Sequence, residues 1–145
     1  YFDIKPMGDL TYRAYPTLID LAKASDILLV TCEGGEANRG LVSAEVLDAL
    51  GPDGFLVNTA RGPIIDEPAM VKALKEGRIA GAGLDVFDRE PIVPEELMAM
   101  ENVVLTPHIA SSTHETRRAM GDLVFDNLHA HFNGKPVLTP VPPQI

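Results

Sequence analysis

Short apolar runs, each followed by a polar loop and a helix-patterned segment, constrain this chain more than any other feature. Ile27-Leu28-Leu29-Val30 is apolar throughout, which suits a parallel strand covered on both faces. Phe55-Leu56-Val57-Asn58, Ile79 to Val86 and Val103 to Leu105 read as further strands, and Tyr1 to Ile4 as the last residues of another. Between them, Leu18 to Ala24, Ala44 to Leu50 and Glu67 to Glu76 carry apolar residues or caps at helical spacing. Ser43 and Asp66 stand at N-cap positions, and Gly51 and Gly77 close the helices they follow. Glu95 to Met100 suits a helical turn, and Thr113 to Phe132 a long helix with Ala119, Met120, Leu123, Val124, Leu128 and Phe132 on one face. Ser112 and Glu115 have the spacing of a capping box at its start. Alternating strands and helices imply right-handed crossovers and a doubly wound parallel α/β sheet. Such a sheet brings Asp3, Thr31, Arg61 and Asp85 towards the edge where ligands bind, and the strand ending at His108 adds a fifth contributor.

Bulk properties narrow the function. A chain of 145 residues suits one domain with a real core. The net charge of −9, from 21 acids and 12 bases, argues against a nucleic-acid or anionic-membrane surface, and the longest basic cluster is Arg117-Arg118. The single cysteine, Cys32, excludes an internal disulfide framework and fits a reducing, cytoplasmic setting. No run approaches the ~18 apolar residues of a membrane span, and no signal peptide is evident. The chain opens on Tyr1-Phe2-Asp3 and reads as an internal piece of something longer. Lys5 to Pro16 reads as loop, and the tail from Asn133 to Ile145, with four prolines, as extended chain.

Three side chains form a chemical constellation. Arg61 follows a strand in a Gly-Pro turn, where a guanidinium can hold a carboxylate in a bidentate fork. His108 lies just past a strand end, where an imidazole can titrate near neutral pH. Glu90, in a loop after a strand, can bond the other ring nitrogen, orienting the imidazole and stabilising its protonated form. Together they suit reduction of a 2-oxo acid: a cation for its carboxylate and a proton donor for its ketone. Taken singly, each has a plainer reading as a surface ion pair, a solvated acid or a structural histidine. Asp85 interrupts an otherwise apolar strand, and a carboxylate there needs a partner. No serine or cysteine sits in a nucleophile motif, and no metal ligands are assigned.

The stretches V-N-T-A-R-G-P-I-I-D-E-P-A (57–69), G-A-G-L-D-V-F-D-R-E-P (81–91) and N-V-V-L-T-P-H-I-A-S-S-T (102–113) closely resemble the D-isomer-specific 2-hydroxyacid dehydrogenase family. E-V-L-D-A-L-G and H-I-A-S-S-T-H-E-T-R-R-A-M resemble its glyoxylate and hydroxypyruvate reductase branch. The resemblance implies a Rossmann-like coenzyme domain, present in part. Residues 1–132 would be its C-terminal portion and 133–145 a tail towards a substrate domain. It further implies that Arg61, Glu90 and His108 are catalytic. Asp85 would bind the nicotinamide carboxamide, and Thr31, Cys32, Thr59, Ala60 and Ala110, together with Arg61 and His108, would line the cofactor. Asp3 falls where an acid accepts bonds from the adenosine ribose hydroxyls and repels a 2′-phosphate, so NAD is expected over NADP, with Lys5 nearby. The expected partners are a small 2-oxo or 2-hydroxy acid and a second copy of the chain in a homodimer. The glycine fingerprint of the family belongs upstream of Asp3, so these 145 residues alone are expected to bind NAD poorly and not to turn over. The alternative from another class is an NAD-sensing, corepressor-like binding protein on the same scaffold.

Overall fold

Parallel pairing sets the architecture, because every strand must return to the same end of the sheet before the next begins. The computed structural model describes residues 1–4, 8 and 10–141, which form two units, Tyr1–His108 and Ile109–Ile145. In the first unit, α1 (Leu18–Lys23) leads to β1 (Ile27–Val30), and α2 (Ala44–Leu50) to β2 (Phe55–Asn58). Then α3 (Glu67–Lys75) precedes β3 (Gly81–Leu84), and the short α4 (Glu95–Met98) precedes β4 (Val103–Leu105). The strands lie in the order β1-β2-β3-β4, all parallel. This is the Rossmann-like α/β arrangement expected from the alternation. β3 is shorter than the apolar run that predicts it, because its ladder with β2 ends at Leu84 opposite Asn58.

The helices start and stop for local reasons. Thr17 accepts the Asp20 amide at the head of α1, and Asp66 accepts the Ala69 amide at the head of α3, where Pro68 occupies the first turn. Ser43 stands at the N-cap of α2, but its hydroxyl donates to Glu45 instead of capping the backbone. Gly51 ends α2 with φ of 83°, a left-handed conformation that glycine adopts freely.

The core lies on one face of the sheet. Leu28, Val30, Leu56, Ala82 and Leu84 meet Ala22 of α1, Val46 and Leu47 of α2, and Met70, Ala73 and Leu74 of α3. The expectation that β1 is covered on both faces is not met among the described residues. Ile27 is 61% and Leu29 57% exposed, and their register partners continue the open face through Phe55 and Val104. A wholly apolar run reports that both faces prefer burial; it does not supply the covering element.

Tyr1–Ile4 is also not a strand. The segment is irregular, and the bonds from the Tyr15 amide to the Tyr1 carbonyl at 2.8 Å and from the Tyr1 amine to the Arg13 carbonyl tie it to the loop before α1. Lys5, Pro6, Met7 and Asp9 of the expected loop, and residues 142–145 of the expected tail, lie outside the described residues.

The second unit is built on α5 (His114–Phe132). Its cap is Thr113, which accepts the Thr116 amide, and not the expected Ser112, whose hydroxyl instead accepts from Arg117. The apolar face proposed for this helix is solvent-exposed, from Leu123 at 41% to Phe132 at 82%. Beyond it the chain turns back, and Thr139 exchanges hydrogen bonds with the Asn127 carboxamide. No helix among the described residues is long and apolar enough to cross a membrane.

Leu56, fully buried at the centre of the sheet, fixes the one-sided core. Leu56→Ala is expected to destabilise the protein by about 2–5 kcal/mol, read from the midpoint of urea denaturation. Leu29→Ala on the open face should cost far less.

Candidate active site

Four parallel strands place four loops at one edge, and the chemistry gathers there. β4 ends at Leu105, and the Thr106 amide still reaches the Leu84 carbonyl at 2.9 Å. Pro107 then breaks the run, and His108 adopts φ of 54°, the one positive value among the described non-glycine residues. Histidine enters this left-handed region more readily than most side chains. Its amide donates to the Asp85 carbonyl at 2.9 Å and to the Thr106 carbonyl at 3.1 Å, which anchors the turn.

The imidazole meets Glu90. His108 Nδ1 lies 2.8 Å from Glu90 Oε2, while Glu90 Oε1 accepts the Phe87 amide at 3.1 Å. The hydrogen bond from His108 holds the Glu90 carboxyl below its ordinary value, although partial burial pulls the other way. The Phe87 amide and the charges of His108 and Arg61 lower it further. An ionised carboxylate only accepts, so Nδ1 carries the proton of this bond and Nε2 remains for proton exchange.

Arg61 leaves β2 through a tight turn. Its guanidinium bonds the Ala60 carbonyl at 2.6 Å, is exposed, and is near enough for its charge to act on Glu90. A Cβ added to Gly34 would come within 2.7 Å of Arg61 Cγ, so the loop after β1 lies against the stem of this side chain. Gly62 is packed still more closely. A Cβ there would fall 2.0 Å from the Phe87 carbonyl, which locks the Arg61 loop onto the loop that carries Glu90. Arg61, Glu90 and His108 are therefore brought to one edge of the first unit.

The remaining predicted residues divide into those placed by this edge and those elsewhere. Asp85 is 4% exposed at the end of β3 and accepts the Thr106 hydroxyl. Asp3, Thr31 and Cys32 line a cavity of about 630 Å³ together with Phe2, Val30 and Leu41. That volume lies within the range of small-molecule sites, and its wall is largely apolar, with the carboxylates of Asp3 and Glu33, the Thr31 hydroxyl and the Asn38 carboxamide along it. Partial burial pushes the Cys32 thiol up from its ordinary value, with a smaller push from the charge of Asp3 and a backbone hydrogen bond acting against both. Thr59 is exposed and Ala60 half-buried in the Arg61 turn, and Ala110 is exposed in the second unit. No cluster of potential metal ligands occurs among the described residues.

Sequence reasoning passed over Asn58, Gly62 and Thr106, which hold these groups in place. An Asn closing an apolar strand just before a turn is a recognised signal for side-chain capture of the following amides.

Residues 4–110 match the model of the D-isomer specific 2-hydroxyacid dehydrogenase NAD binding domain. The chain is 58% identical over 138 residues to glyoxylate/hydroxypyruvate reductase A of Arabidopsis thaliana, covering 95% of this chain and 44% of that protein. It is 54% identical over 141 residues to hydroxyphenylpyruvate reductase of Plectranthus scutellarioides, covering 97% and 45%. Among solved structures, the NADPH-dependent glyoxylate/hydroxypyruvate reductase of Sinorhizobium meliloti, in complex with NADP and malonate, superposes with a TM-score of 0.92 at 50% identity. That match covers 97% of this chain and 44% of the other. The chain thus spans less than half the length of these relatives.

The His108 bond makes a prediction that requires no turnover. In His108→Ala the Glu90 carboxyl loses its main donor and the accompanying charge, so its pKa should rise towards the ordinary carboxylate value. Carboxylate-detected NMR titration reads this directly. In the unaltered protein the pair should persist as pH falls through the ordinary carboxylate range and open only at the lowered value.

Proposed function

The chain belongs to the D-isomer specific 2-hydroxyacid dehydrogenase family, and from that premise we propose that the protein interconverts a small 2-oxo acid and its D-2-hydroxy acid. Glyoxylate or hydroxypyruvate is the substrate type. The observation that carries this reading is the 2.8 Å contact between His108 Nδ1 and Glu90 Oε2, with Arg61 close by. Arg61 grips the substrate carboxylate in a two-pronged bond that fixes the ketone relative to the imidazole. A nicotinamide cofactor held at this edge would supply the hydride for the ketone carbon. His108 Nε2 gives its proton to the ketone oxygen as negative charge builds there, and the electron pair of the broken N–H bond stays on the ring. In oxidation the neutral imidazole takes the hydroxyl proton. Glu90 keeps Nδ1 protonated and balances the imidazolium charge.

Asp3, Thr31, Cys32, Thr59, Ala60, Asp85 and Ala110 are the proposed cofactor residues. Asp85 would receive the carboxamide and Asp3 the ribose hydroxyls, and this second role favours NAD over NADP. Residues 1–132 are read as the C-terminal part of the coenzyme domain, and 133–145 as a tail towards a substrate domain. The family likeness and the lone Cys32 support a cytoplasmic homodimer.

The test uses the full-length protein. NADH oxidation with glyoxylate or hydroxypyruvate is expected, and its absence overturns the reading. His108→Asn should lower kcat by about 10²–10⁴-fold, with NADH affinity measured by fluorescence unchanged. The ratio of kcat/KM for NADH over NADPH should exceed one and shrink in Asp3→Asn.

A further inference from the structure

We propose that Asn58 is the positioning residue for Arg61, acting through the turn that it closes instead of touching substrate. The inference rests on the role given to Arg61 above. Asn58 is the last residue of β2 and is completely buried, one of only two buried polar residues among those described, the other being Asp85. Its carboxamide is used at both ends within the same turn. Oδ1 accepts the Ala60 amide at 3.0 Å, and Nδ2 donates to the Arg61 carbonyl at 3.0 Å. Its own backbone carbonyl accepts the Asp85 amide, also at 3.0 Å. One side chain therefore joins the strand end to the residue that grips the substrate, and one peptide joins that strand end to the strand carrying Asp85.

Chemistry makes the carboxamide hard to replace. The Ala60 amide needs an acceptor and the Arg61 carbonyl needs a donor, and only an amide of this length presents both at adjacent atoms. Asn58→Asp keeps the shape and the acceptor but turns the donor into a second acceptor facing a carbonyl. That substitution pushes the Arg61 carbonyl away, while Gly62 remains pinned against Phe87. The turn must then open just before Gly62, at Arg61 itself, so that the Cα carrying the guanidinium side chain is displaced. A displacement on the order of 1 Å in a positioning group can cost about 100-fold in rate.

The experiment measures steady-state kinetics of the full-length protein, with glyoxylate as the varied substrate. Asn58→Asp is expected to raise KM for glyoxylate by about 10–100-fold, with NADH affinity unchanged within about 2-fold. The decisive measurement is a double-variant cycle with Arg61→Lys. If Asn58 works through Arg61, Asn58→Asp should cost less than about 3-fold in kcat/KM once Arg61 is altered, whereas independent roles multiply. A merely structural role would lower the melting temperature and leave this coupling at zero. Should Asn58→Asp melt below the assay temperature, Asn58→Ser carries the same cycle. Multiplicative losses, or an unchanged KM, overturn the inference while leaving the proposed activity standing. Failure of the unaltered protein to turn over overturns both.

Discussion

The hydrogen bond from the His108 amide to the Asp85 carbonyl, 2.9 Å long, is where sheet and site become one object. It follows the bond from Thr106 to Leu84, so the pairing of β3 with β4 runs on past the end of the regular ladder. A non-glycine residue at φ of 54° costs about 1–3 kcal/mol, and a free loop would relax it. Here the amide is held by two carbonyls, so the strained conformation persists and sets the direction of the imidazole. Glu90 meets that ring from a loop whose own amide, at Phe87, fixes the second carboxylate oxygen. The His108–Glu90 pair is thus oriented by main-chain groups on both sides.

Charge adds a second constraint. A chain with net charge −9 repels an anionic substrate at long range, but salt screens that repulsion over about 8–10 Å. What remains is local, and locally Arg61 lies near enough to Glu90 for its charge to act on that carboxylate. The Glu90 carboxylate is bonded to His108 through one oxygen, which turns its charge towards the imidazole. For the proposed reaction an arginine suits this place better than a lysine, because its planar fork would fix a carboxylate in orientation as well as in position.

Much of this was legible in the residues. β1, β2 and β4 fall where their apolar runs predict, since buried parallel strands leave a local signature in sequence. Arg61, Glu90 and His108 could be singled out because each is a functional group standing just beyond such a run. Tertiary circumstances were not legible. Whether Ile27 and Leu29 find cover depends on elements that the strand itself does not encode. The cap of α5 moved from Ser112 to Thr113 because either hydroxyl can serve, and the choice turns on backbone geometry at a single residue. Asn58 escaped notice for a related reason: at the end of an apolar strand it looks like a polite exit to solvent, and only coordinates reveal that it is wholly buried.

The burial of Asn58 also explains how loops can hold their side chains at fixed distances. Loops are ordinarily the mobile part of an α/β domain, yet proton transfer requires heavy atoms within about 3 Å of each other. In this chain the loops after β2 and β3 are locked by two devices of opposite kind. Gly62 removes a side chain so that one backbone can press directly on the Phe87 carbonyl, and Asn58 supplies a side chain that takes the place of a missing backbone partner. The first sets the distance between loops, and the second sets the path of the loop between strand end and contact. Neither suffices alone: contact without the internal bonds leaves the turn free to open, and the bonds without contact let the whole turn swing from the strand. With both, Arg61 keeps only its own side-chain rotations, so in the proposed binding of a carboxylate the entropy lost would be confined to those rotations.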